Sequence, residues 1–216
     1  MNSLQIAIAA VPLAIYFVLM GSIRLRRRPL VTSGWRDLLT LGIACSGLVA
    51  IGPMQLFYPT HAAARWPGWI WLPMFGLYFL TVLIVTMWSR PRLLAYGMSK
   101  FQFQEVLLKA ARSVDQDAAW TGEVLTLPNS GLQLSAESSL GSYVSIVGVV
   151  GSLQNLPDWL KLEREFVRLG MQSSCSSSKY GWLMLVTGLA LLLLAITPVV
   201  NDPNLALAEL RKLMFR

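Results

Sequence analysis

The chain has one histidine and two cysteines in 216 residues, and only 13% of its residues are charged. Each shortage excludes something. Cys45 and Cys175 are far apart in unlike surroundings, so they build neither a disulfide framework nor a metal-ligand spacing. His61 lies in "YPTHAAARWPG" without an acidic or cysteine neighbour, which reads as a surface residue, not a catalyst or ligand. Asp115, Asp117 and Glu123 in "DQDAAWTGE" lack the Gly and Glu of a calcium loop at their required spacing and read as a solvated helix end. There is no P-loop, G-x-S-x-G, H-E-x-x-H or dinucleotide fingerprint. No catalytic residue, cofactor site or metal site is therefore assigned.

The most informative shortage is of charge inside long apolar runs. Leu4–Ile23, Leu38–Phe57, Trp69–Trp88 and Tyr180–Val200 contain no Asp, Glu, Lys, Arg or His. At about 1.5 Å per residue, a helix of some twenty residues matches a hydrocarbon core roughly 30 Å thick. Aromatics mark the run ends (Trp66, Trp69, Trp71, Trp88, Tyr180, Trp182), as in an interfacial belt. With 55% hydrophobic residues and a mean hydropathy of +0.54, the sequence predicts a membrane all-α bundle of four transmembrane helices. The first run has no basic segment before it and no clear cleavage site, so it reads as a retained helix. The absence of intramembrane charge argues against a coupled transporter or pump. Gln5 and Gln55 lie near run ends, where an amide meets water, and Pro12 predicts a kink.

The net charge of +7 is unevenly placed. The first connection holds Arg24, Arg26, Arg27, Arg28 and Arg36, and Arg90 and Arg92 follow the third run. The second connection holds only Arg65, and the tail adds Arg211, Lys212 and Arg216. The excess of Arg and Lys therefore predicts that the first connection and residues 92–179 are cytoplasmic, with both termini outside; in a bacterium this would be the inner membrane. The stretch "RLRRR" is thus a topology determinant, with contact to anionic headgroups accompanying it. Residues 92–179 carry eight basic and eight acidic side chains, so the basic surplus of a nucleic-acid-binding domain is missing.

The chain divides into residues 1–91 (three spans, about 4–23, 38–57 and 69–88), an α+β insert at 92–172, a Ser-rich tether at 173–179, a fourth span at 180–200 and an outer amphipathic tail at 201–216. Within the insert, Ser99 and Gln102 form a capping box before a helix carrying Phe103, Val106, Leu107 and Ala110. Leu125 and Leu127, then Leu132 and Leu134, flank "PNSG" as a hairpin. Tyr143–Val150 is a third strand, and Asn155 caps a helix striped by Trp159, Leu162, Phe166 and Leu169, stopped by Gly170. The predicted order is α-β-β-β-α, with Phe103, Leu127, Ile146, Trp159 and Phe166 in the core. In the tail, Leu207, Leu210 and Met214 form the apolar stripe of an interfacial helix. Cys175, in "QSSCSSSK", is a candidate for acylation, and the surrounding serines for phosphorylation.

Small residues recur in three spans: Ala7, Ala14 and Gly21; Gly42, Ser46 and Ala50; Gly181, Gly188 and Ala195. Such seams let helices approach closely in lipid. The third span has only Gly76, which leaves it facing lipid or a partner. The function expected is that of a non-catalytic accessory or scaffold subunit, with the bilayer and another membrane or cytoplasmic protein as partners and no nucleic acid. Two alternatives stand beside it. One is a channel or transporter component lined by Tyr16, Ser46, Thr81 and Thr187; the other is a lipid-directed interface enzyme using Glu105 or Asp115.

Overall fold

Four helices in the protein are long and apolar enough to cross a membrane. They are seen in a computed structural model that describes residues 3–26, 29–59, 61, 65–66, 68–138, 144–151, 153, 155–173 and 179–214. The chain separates into two compact units.

The first unit comprises Met1–Gly21, Leu38–Trp88 and Leu183–Arg216. Helix α1 is Ser3–Leu25, α2 Gly34–Ile51, α3 Pro53–Leu56, α4 Trp71–Trp88, α7 Lys179–Asn201 and α8 Pro203–Met214. The second span begins four residues earlier than its apolar run, at Gly34, and is interrupted at Gly52, where the backbone leaves helical geometry ahead of Pro53. Proline supplies no N–H to the preceding turn, which accounts for the break. Pro12 and Pro198 lie inside continuous helices. Helix α4 hides little of itself within the protein: 6% of its apolar window is buried. Glycine sets the close contacts. A Cβ at Gly188 would lie 2.8 Å from Val18 N, and one at Gly21 would lie 2.6 Å from Leu185 N, which brings α7 against α1. Gly47 meets the Ile8 carbonyl oxygen of α1, and a Cβ at Gly42 would lie 2.7 Å from Val82 of α4. Tyr78 Oη donates to the Gly42 carbonyl at 2.6 Å.

The tail forms helix α8, and its predicted apolar stripe lies on an exposed side. Leu207 and Leu210 are exposed, while Ala206 is buried. Glu209 Oε2 accepts from Leu4 N at 3.0 Å and from Ser3 Oγ at 3.3 Å. A carboxylate at the start of α1 satisfies free N–H groups and complements the helix dipole. That polar contact decides which face of α8 turns inward. The side chain of Met214 lies outside the described residues.

The second unit comprises Ser22–Asp37 and Ser89–Trp182. Its centre is one antiparallel sheet of six strands in the order β1-β2-β6-β5-β4-β3. The strands are β1 Leu30–Ser33, β2 Arg92–Tyr96, β3 Ala119–Thr121, β4 Val124–Leu127, β5 Leu132–Ser138 and β6 Val144–Val149. Helices α5 (Lys100–Arg112) and α6 (Leu156–Gln172) contribute Phe103, Leu107, Trp159, Leu162 and Phe166 to the core shared with the sheet. Phe103 and Phe166 meet edge to face at 5.4 Å. The capping box at Ser99 and the cap at Asn155 are formed. The hairpin pairs Leu125 with Leu134 and Leu127 with Leu132.

Three predictions are corrected. The order α-β-β-β-α omits β2, which precedes the first helix; β3, which pairs with β4; and β1, which comes from the first connection and pairs with β2. Ile146 is not in the core. It pairs with Leu94, whereas Val147, paired with Leu93 and Ala136, faces the helices. Gly170 does not end its helix, which runs on to Gln172. Gly170 is buried where a Cβ would strike Val31 of β1.

Asp115 ties the loop after α5 to the hairpin turn. Its carboxylate accepts from Asn129 N at 2.8 Å, Asn129 Nδ2 at 2.7 Å and Asp117 N at 3.1 Å. Burial alone would raise its pKa; the hydrogen bonds from Asn129, Asp117 and Ser130 outweigh that and hold it below the ordinary value. A carboxyl whose folded pKa is depressed stabilises fully above its unfolded value, about 3.9, and loses that contribution as pH falls through the folded value. Asp115→Asn is therefore expected to melt lower than wild type at about pH 7, with the gap closing towards about pH 3. Thermal melts of the full chain across that range test it, and a constant gap would remove the carboxylate charge from the explanation.

Candidate functional site

The sheet-bearing unit holds Arg24, Arg26 and Arg36 of the first connection and Arg90 and Arg92, which follow α4. Arg24, in the last turn of α1, places its guanidinium 5.9 Å from the centroid of the Tyr96 ring, within cation–π range. Tyr96, buried at the end of β2, donates from Oη to Asp37 Oδ1 at 2.9 Å. Arg36 lies 5.1 Å from the centroid of the Trp35 ring. Arg26 is exposed just after α1. Arg27, Arg28, Cys175 and the adjoining serines lie outside the described residues.

The same unit has a cavity of about 320 Å³, lined by Arg90, Arg92, Ser135, Ile146, Gly148 and Val150 among others. The sheet register explains it. On the face away from α5 and α6, Arg92 of β2 stands opposite Gly148 of β6, which stands opposite Ser135 of β5. The middle position has no side chain, and a Cβ built there would meet nothing within 4 Å. A missing side chain between two present ones leaves a hollow in the sheet face. Arg92 also lines it, and the stem of its side chain lies against Gly34. Arg90 is exposed, two residues beyond the last residue of α4. The salt bridges found among the described residues involve neither arginine.

A second cavity, of about 270 Å³, lies in the first unit between residues that no local pattern connects. Gln5 and Gln55 line it together with Glu209 and Lys212, and Gln5 Nε2 donates to Gln55 Oε1 at 3.3 Å.

The chain matches no family model, curated protein or solved structure.

The small residues fall at distinct places. Ala7, Ala14, Ala50 and Ala195 are buried, and Gly21, Gly42 and Gly188 stand at the helix contacts described above. Gly181 faces Arg24 and Leu25 of α1, with 3.1 Å from a built Cβ to Arg24 Cβ. Ser46 donates from Oγ to the Ile43 carbonyl at 2.8 Å. Gly47, one residue beyond the four-residue repeat that selected Ser46, lies against Ile8 and Pro12 of α1. His61 is exposed. No group of three or more His, Cys, Asp or Glu side chains suited to a metal occurs among the described residues.

Proposed function

We propose that the protein is a non-catalytic, integral membrane accessory or scaffold subunit, with the sheet-bearing unit on the cytoplasmic side, acting by contact with another protein. The observation that carries this reading is on α6, outside the four candidate spans. Leu156, Leu160 and Met171 are 55%, 42% and 54% exposed and lie within about 60° of one another at 3.6 residues per turn. They form a second apolar strip beside the one that supplies the core, the arrangement expected of a helix that contacts something on both sides. The arginine asymmetry supports the cytoplasmic assignment.

The alternatives draw less support. Ser46, Thr81 and Thr187 each donate to a carbonyl three or four residues earlier in their own helices, a local bond that leaves little to line a pathway. Glu105 pairs with Lys109 on an exposed surface, and Asp115 is held by Asn129.

Purification of the full chain in mild detergent tests the contact reading. A stoichiometric protein partner is expected with wild type and is expected to be lost with Leu160→Glu. Purification that repeatedly yields the chain alone would sink it. Orientation is tested by Gln116→Cys, at an exposed loop position, in a background lacking Cys45 and Cys175. A membrane-impermeant maleimide is expected to label it only after the membrane is opened, and labelling of intact cells would reverse the topology.

A further inference from the structure

We propose that the hollow beside Arg90 and Arg92 is a phosphate-binding site, taking a phosphate group carried by a lipid headgroup or free in solution. The first ground is charge. Arg90 and Arg92 both line one cavity, and no salt bridge found among the described residues engages either. Guanidinium presents a planar fork of donors that matches phosphate oxygens, and two of them around one hollow favour a ligand of at least one negative charge. Along the strand, Glu137 stands one row away, opposite Ile146.

The second ground is shape. The hollow exists because Gly148 sits between Arg92 and Ser135 in the register. Its floor is backbone, open for at least 4 Å above the Cβ position. The Ser135 hydroxyl is a further donor on the far wall. Cavities that hold small ligands begin at about 300 Å³, and this one has about 320 Å³. The third ground is the apolar wall. Ile146 and the half-exposed Val150 line the same cavity, so a phosphate bearing an apolar substituent finds contact on both its parts. Arg90 follows closely on a candidate span, and span ends lie at headgroup level.

Gly148 supplies the test, because its backbone is not in the left-handed region and its Cβ position is open. Gly148→Asp puts a carboxylate beside the two arginines. Gly148→Asn puts the same shape there without charge, so the pair separates electrostatics from folding. The full chain in non-ionic detergent is titrated with phosphatidic acid, with diacylglycerol, which is the same lipid without phosphate, and with inorganic phosphate, reading the melting temperature. Phosphatidic acid is expected to raise it and diacylglycerol to leave it unchanged. The apparent affinity should fall about tenfold or more in Gly148→Asp and in Arg90→Gln and stay near wild type in Gly148→Asn. A response to inorganic phosphate with the same variant pattern identifies a soluble phosphate as the source; a response to phosphatidic acid alone identifies the headgroup. Equal responses in wild type and Gly148→Asp would overturn the proposal and leave general attraction to the other arginines as the cause.

Discussion

Trp159→Ala is expected to remove the cooperative unfolding of the sheet-bearing unit. Trp159 is 4% exposed, and its neighbours on the same helix stripe, Leu162 and Phe166, are fully buried. All three belong to one cluster with Phe103, Leu107 and the inward residues of the sheet. Replacing a large buried aromatic by alanine costs about 3–5 kcal/mol, because apolar contact is lost and the surroundings collapse only partly. Whole domains are stable by about 5–15 kcal/mol, so one truncation consumes much of the margin. Hydrogen exchange on the full chain gives a readout independent of tryptophan. Amides of β4, β5 and β6 should lose protection together in the variant, while those of α1 and α7 keep theirs. Unchanged protection across the sheet would mean that Trp159 adds little to this core.

Gly188→Leu is expected to cost the helix bundle heavily, and Gly76→Leu almost nothing. At Gly188 a new Cβ would meet Val18 N at 2.8 Å, Val18 Cγ2 at 2.9 Å and Ala14 O at 3.0 Å, two of the three being backbone. Backbone cannot rotate aside as a side-chain end can, so the two helices must separate. Overpacking of this kind costs about 1–3 kcal/mol and at times more, and it also forfeits contacts along the rest of the seam. Around Gly76 there is nothing within 4 Å. The two variants add the same side chain to helices of similar composition, so comparing the monodisperse fraction recovered after heating in detergent isolates the contact. Equal recovery would place Gly188 on an open surface.

The parts legible in the sequence are those fixed by local chemistry. Four charge-free runs gave the four long helices, Ser99 with Gln102 and Asn155 gave two helix starts, and "PNSG" between alternating leucines gave the hairpin. What the sequence hid was non-local. "LVTS" and "RLLAY" are too short to show an alternation, and they become strands through partners distant in sequence, the first beside β2 and the second between β1 and β6. In "YVSIVGVV" both alternating sets are apolar, so the pattern does not fix which set faces the helices; pairing of Val147 with Leu93 does. The cavity at Arg92 was hidden for the same reason. Gly148 is unremarkable in its own strand and becomes a gap only when strands from both sides stand against it.

Strand β1 also sets a schedule. Val31 pairs with Ala95, and α2, α3 and α4 are synthesised between them. During synthesis the earliest strand of the sheet is made with no strand to pair with, and it waits until two helical hairpin arms have been placed. Contacts between residues so distant in sequence form late, and an unpaired edge is a template for any other extended chain nearby. Strand β1 can be paired only once β2 has been made, and a delay in making or placing α2 or α4 prolongs the interval in which a nascent neighbour can take the place of β2.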